Sequence, residues 1–228
     1  MLRNRTPRFS RRFLRESKYT VRPKNKVELQ QIILDTIKEE GPECDLNFID
    51  VSRIDDMSYL FYKWKDFNGD ISEWDVSNVV YMNSMFCNAE SFNGDISKWD
   101  VSNVRNMNFM FLNATAFNQP LNKWDVSNVH DMEEMFRNAK AFNQDLNDWD
   151  VSYVNDMQSM FEDAISFNKP LNKWDVSNVQ YMSWMFTNAK SFKQDLNDWD
   201  VSNVSKTYKF CIFDGTKMEK LGKLPDWY

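Results

Sequence analysis

Six aspartates, Asp75, Asp100, Asp125, Asp150, Asp175 and Asp200, recur at a constant interval of 25 residues. Carboxylates held in a row can bind cations, accept hydrogen bonds or receive a basic partner. Neighbours about 5 Å apart repel by roughly 0.8 kcal/mol in a water-like dielectric, so something must offset the row. Each is expected to accept hydrogen bonds from Ser, Asn or backbone N–H groups of adjacent coils. Lys98, Lys123 and Lys173 are placed to neutralise part of the charge. A cation ladder or a docking face for a basic partner is the sharper alternative. Because the acids return in every copy, they fit architecture better than one acid–base pair of the glycosidase kind.

Other chemistry is thinly represented. The single histidine, His130, falls on a variable position. No glycine-rich phosphate loop or nucleophile elbow is present. The cysteines, Cys44, Cys87 and Cys211, are odd in number and have no CxxC spacing, which speaks against a disulfide framework or a zinc site. The sequence therefore predicts no catalytic residue, no cofactor and no metal site, and the chain reads as a non-enzyme.

Two sets of residues suggest binding instead. Tyr81, Phe109, Tyr181 and Trp184 stand at positions that vary between copies, and exposed aromatics are enriched in recognition surfaces. Residues 1–26 hold ten Lys or Arg against one acid, and the remainder holds eighteen against thirty-three. A basic arm of +9 thus precedes an acidic body of −15. Within it Arg8, Arg11, Arg12 and Arg15 interleave with Phe9, Phe13 and Tyr19, a composition that could neutralise phosphates and stack on bases. Nucleic-acid or anionic-surface binding is therefore the alternative function.

These residues must be positioned by a repeat. Trp74, Trp99, Trp124, Trp149, Trp174 and Trp199 share the 25-residue interval, as do Phe67, Phe92, Phe117, Phe142, Phe167 and Phe192. The unit reads I/L-x-x-W-D-V-S-N-V-x-x-M-x-x-M-F-x-N-A-x-x-F-N-x-D/P, without insertion from Leu46 to about residue 204. A constant period means one coil of a stack per copy. The sequence predicts an α/β repeat solenoid, a single right-handed leucine-rich-repeat-like stack. Each coil would hold a short parallel strand with Trp74 and Val76 inward, then a short helix with Val79, Met82, Met85, Phe86 and Ala89 on one face. Positions 80, 81, 83, 84 and 87 would then face solvent.

The predicted organisation has four parts: a mobile basic arm over 1–23, a capping helix and linker over 24–45, the solenoid over 46–204 (six full coils and a partial seventh), and a C-terminal cap over 205–228. Asn25 to Glu28 form a capping box, and Leu29, Ile32, Ile33 and Ile37 an apolar stripe. No apolar run approaches the length of a membrane span. The basic N-terminus lacks the apolar h-region of a signal peptide, which by itself points to the cytoplasm.

The unit W-D-V-S-N-V-x-x-M-x-x-M-F-x-N-A-x-x-F-N resembles the bacterial surface-protein repeat of the mycoplasma type, related to BspA-like leucine-rich repeats. The resemblance covers roughly residues 46–204. It implies a leucine-rich-repeat-like solenoid in a cell-surface or secreted protein that binds host or neighbouring-cell molecules, and it carries no catalytic residues over. The expected function is a non-catalytic interaction module for a protein or glycan.

Overall fold

A computed structural model describes residues 20–228. The coils are built from tight turns, not from strands and helices. The only helical segments among these residues are α1, Lys26–Glu40, a 3-10 turn at Lys206–Tyr208, and the single-turn α2, Lys217–Lys220. Extended pairing is confined to isolated parallel bridges. The strand-plus-helix coil, and with it the α/β leucine-rich-repeat-like fold class, is therefore corrected.

The physical reason lies in the spacing of three. Apolar residues three apart line one helical face, but they also begin and end an i to i+3 turn. In the coil that starts at Ile71 the second use prevails. The N–H of Trp74 donates to Ile71 O at 3.2 Å, Val79 to Val76 at 2.9 Å, Met85 to Met82 at 3.2 Å, Ala89 to Phe86 at 3.0 Å and Phe92 to Ala89 at 3.1 Å. Successive turns bring both of their end residues inward, so Ile71, Trp74, Val76, Val79, Met82, Met85, Phe86, Ala89 and Phe92 are all buried.

Two further facts exclude the helix. Ser84 and Asn88 have φ of 56° and 60°, in the left-handed region, and the equivalent positions repeat this in the other coils. Each is the third residue of its turn, where a type II turn places positive φ. The backbone donors are also spent elsewhere. The N–H groups of Met82, Ser84, Phe86 and Asn88 donate to the carbonyls of Asn106, Asn108, Met110 and Leu112 one coil on, at 2.7 to 3.1 Å. A helix would need those donors for its own carbonyls four residues back. Asparagine tolerates the left-handed region better than most residues, and it stands there in Asn88, Asn113, Asn138 and Asn188. Its amides form a ladder, with Asn113 Nδ2 donating to Asn88 Oδ1 at 2.9 Å and Asn138 Nδ2 to Asn113 Oδ1 at 2.7 Å.

The interior is a set of aromatic columns. Phe86, Phe111, Phe136 and Phe161 follow one another with centroids 5.5 to 5.6 Å apart and nearly parallel rings. Within a coil Phe86 lies 3.9 Å from Phe92. In the tryptophan column, from Trp74 to Trp199, each indole N–H is satisfied by a carbonyl of the preceding coil, as in Trp174 Nε1 to Leu146 O at 2.8 Å. This removes the cost of burying a polar group.

Both ends are covered. On one side α1 buries Leu29 and Ile33 against the core. Its Asn25 cap accepts from Glu28 N–H, and Gly41, at φ 92°, returns its N–H to Ile37 O. Before α1, Val21 bridges Ile49 in parallel, and Arg22 Nε donates to Asp50 Oδ2 at 2.6 Å. At the other end the stacking continues into residues 205–228. Phe213 stacks on Phe186 at 5.8 Å, and Trp227 on Trp199 at 6.3 Å. Trp227 Nε1 donates to Leu196 O at 2.8 Å, the bond made by every earlier tryptophan of the column. Leu224 and Trp227 thus keep the L-x-x-W spacing and the tryptophan stacking of a further coil, displaced by inserted residues, although the turn bond shifts by one residue, from Tyr228 N–H to Pro225 O at 3.1 Å.

Candidate recognition site

The aspartate column has its hydrogen bonds within its own coils. Asp75 Oδ1 accepts from the Ser77 N–H at 3.2 Å and its hydroxyl at 2.7 Å. Asp100 with Ser102 and Asp150 with Ser152 repeat the double contact. Asp125, Asp175 and Asp200 accept the backbone N–H of Ser127, Ser177 and Ser202 at 3.0 Å. Each aspartate is exposed and caps the V-S-x-V turn that follows it, where x is Asn except for Tyr153. The expectation of bonds between adjacent coils is met by other residues, such as Asn78 Nδ2 donating to Ser52 O at 2.8 Å. Hydrogen bonds from Ser102 hold Asp100 below the usual carboxylate range, and those from Ser177 do the same for Asp175. The lysines do not reach this column: Lys98 Nζ lies 3.9 Å from Glu73 and Lys173 Nζ 2.7 Å from Asp148, each one coil back.

The positions expected to face solvent divide. Tyr81 is half exposed, whereas Ser84 and Cys87 are buried. Phe109 is half-buried and holds one of the left-handed positions, φ 58°. The structure brings Tyr181 and Trp184 together at the last regular coil. Tyr181 meets Tyr208 edge-on at 4.6 Å, and Trp184 meets Phe210 at 4.5 Å. Trp184, Tyr208 and Phe210 keep 37 to 41 % of their surface exposed. Arg8, Arg11, Arg12 and Arg15 lie outside the described residues.

A different ladder gathers a second set of polar groups. Parallel bridges join Asp56, Tyr81, Asn106, Asp131, Asp156 and Tyr181 in succession. Two residues further along each coil stand Ser58, Asn83, Asn108, Glu133, Gln158 and Ser183. At the first coil α1 reaches this strip: Lys26 Nζ donates to Asp56 Oδ1 and Oδ2 at 3.1 Å and to Ser58 Oγ at 2.7 Å. Three and four coils on, carboxylate oxygens of Asp131, Glu133 and Asp156 lie within 4.8 Å of one another. Asp131 Oδ1 accepts Glu133 N–H at 3.0 Å, and its Oδ2 accepts the amides of Asn108 at 2.7 Å and Asn106 at 3.3 Å. Asp156 Oδ1 accepts Gln158 N–H at 2.9 Å, and Gln158 Nε2 approaches Glu133 Oε1 at 3.4 Å.

The electrostatics of the two places are opposite. Burial would push Asp56 up, but Ser58 and Lys26 together hold it below its usual range. Burial pushes Glu133 up, and the charges of Asp156, Asp131 and Glu134 add to the effect. Asp156 is raised by burial and by Asp131, against a hydrogen bond from Gln158. The signal that would have found these acids is the column itself, since residues 56, 131 and 156 share one position of the repeat.

Nothing among the described residues assembles nucleophilic chemistry. His130 Nδ1 lies 2.8 Å from Asn128 O, and its ring faces Tyr153 at 6.1 Å. Cys87 is buried and its thiol is pushed up by that burial, the reverse of what a reactive thiolate needs. No described helix is long and apolar enough to cross a membrane.

No curated protein and no solved structure matches the chain. Two segments, residues 36–143 and 119–223, match one repeat family. The match supports the mycoplasma-type repeat and not the leucine-rich-repeat relationship, in keeping with coils made of turns. With nearly the whole described region covered, the chain belongs to the family described as Mycoplasma protein of unknown function, DUF285.

Proposed function

We propose that the chain is a non-catalytic interaction module whose turn-built stack presents the strip from Tyr81 to Tyr181 to a protein or glycan partner. The observation that carries this reading is the contrast between ladders. The inward columns hold almost the same residue in every coil, whereas the bridged strip reads Asp, Tyr, Asn, Asp, Asp, Tyr. A framework fixed by core packing with outward ladders free to differ is the arrangement that recognition on repeat proteins uses. By resemblance to surface-protein repeats, the partner would belong to a host or neighbouring cell.

The test is a comparison of two faces. Fluorescently labelled full-length chain is applied to a glycan array and to host cells. A strip variant, Tyr81→Ala with Tyr181→Ala and Trp184→Ala, should lose the signal, while Asp100→Asn with Asp150→Asn should keep it. Equal signals from both variants, or no signal from the unaltered chain, would overturn the reading.

A further inference from the structure

We propose that Asp131, Glu133 and Asp156 receive a lysine or arginine side chain from an extended basic segment of a partner protein, with Tyr181 and Trp184 taking the apolar residue beyond it. This rests on the interaction reading above and names the partner class.

The molecule holds its own template for this contact. In the first coil, the ammonium of Lys26 is fixed by Asp56 and Ser58 with three hydrogen bonds. Asp131 and Asp156 occupy the column of Asp56, and Glu133 occupies that of Ser58. Here, however, no described lysine or arginine forms an ion pair with any of the three. The nearby Arg137 is engaged by Glu134 and Glu162 instead. Three half-buried carboxylates therefore face one another in a body of net charge −15. An arriving cation would offset the mutual repulsion and the cost of burial, the latter being what Lys26 helps to offset at Asp56.

The occupant follows from what surrounds the acids. A hard divalent ion wants six or more oxygens. At this place Asp131 has both oxygens and Asp156 one oxygen already committed to protein N–H groups. An ammonium or guanidinium needs only a fan of acceptors on one side. The strip then continues without a break, since Asp156 is bridged directly to Tyr181. Rings of this kind accept an aliphatic stem, an aromatic residue or a cation, none of which a metal site requires. Coils about 4.8 Å apart place Tyr181 roughly 10 Å from Asp131. An extended peptide covers that in about three residues at ~3.3 Å each, so the favoured pattern is a basic residue with an apolar or aromatic one three positions away.

The test uses the full-length chain and a fluorescein-labelled peptide of repeating Arg-Ala-Ala-Phe, read by anisotropy. Saturable binding should weaken about tenfold or more in Glu133→Gln with Asp156→Asn, and also in Trp184→Ala. It should be unchanged in Asp100→Asn with Asp150→Asn, a pair that removes equal charge from the other column. It should also weaken as pH falls into the range where Glu133 and Asp156 take up protons. Thermal melts of each variant establish that the fold persists, and Tyr181→Ala gives a second aromatic variant should Trp184→Ala unfold. Equal losses in both carboxylate pairs would mean bulk attraction and overturn the proposal. Calcium binding at millimolar concentration that is lost in Glu133→Gln with Asp156→Asn, with the peptide inert, would assign the carboxylates to a metal and overturn it as well. If the peptide fails while strip-dependent binding to cells or glycans persists, the basic-peptide claim falls and the interaction reading stands.

Discussion

Substituting Asn113 by glycine and by alanine separates a coil of turns from a coil with a helix. Asn113 has φ 59°. Its amide donates to Asn88 and its oxygen accepts from Asn138, at 2.9 and 2.7 Å. Both variants lose those two bonds, so their difference reports the backbone. An L-residue in the left-handed region costs roughly 1–2 kcal/mol, which glycine avoids. Glycine gives back about 0.4–1 kcal/mol through the greater freedom of its unfolded chain. Asn113→Ala should therefore be the less stable variant, by about 1 kcal/mol. A helix at this position predicts the opposite, with glycine worse than alanine by about 1 kcal/mol. The sign, not the size, decides. Urea unfolding followed by tryptophan fluorescence measures it, because Trp99 and Trp124 are buried in neighbouring coils. A higher midpoint for Asn113→Ala than for Asn113→Gly refutes the turn account.

Other consequences can be read from stability measurements. Phe136 is fully buried between Phe111 and Phe161, and Phe136→Ala should cost about 3–5 kcal/mol, seen as a fall in Tm of several degrees. Glu133 has its pKa raised by folding, so its ionised form opposes the fold and stability is lost as pH rises through that pKa. Glu133→Gln should consequently be more stable at pH 7, by under about 1 kcal/mol, with the gain fading in acid. Asp100 and Asp175 are lowered, so their contribution is present above the unfolded carboxylate value and is lost as pH falls through the folded one; acid melts of Asp100→Asn with Asp175→Asn should show a flatter decline. Lys26→Met leaves Asp56 without its ammonium and should raise that carboxyl's pKa, observable by carboxyl NMR titration.

The period, the inward columns and α1 are legible in the sequence because each has a local cause. Tryptophan and phenylalanine at fixed intervals have no stable alternative to burial, and Asn25 with Glu28 states where α1 starts. The coil's secondary structure is not legible from the same residues, since Met82 and Met85 satisfy a helix face and the ends of a turn equally well. The discriminating residue was Asn88, whose side chain suits positive φ and whose N–H is needed by the next coil, a demand that only the stacked structure reveals. The same limit applies at the site. Tyr181 and Trp184 attract notice as aromatics, but Asp131, Glu133 and Asp156 become a group only once parallel bridges set their coils side by side. The C-terminal coil was obscured by inserted residues, which move Phe213 and Trp227 off the 25-residue interval without changing what they stack on.

The central claim is that backbone donors in the M-x-x-M-F segment cross to the next coil. Scalar couplings transmitted through hydrogen bonds, measured by NMR on deuterated full-length chain, test it atom by atom. The account predicts a coupling from the Phe136 amide nitrogen to the carbonyl carbon of Met160, whose oxygen lies 2.9 Å away. A coupling from Phe136 to the carbonyl of Met132, four residues earlier in its own coil, would contradict it.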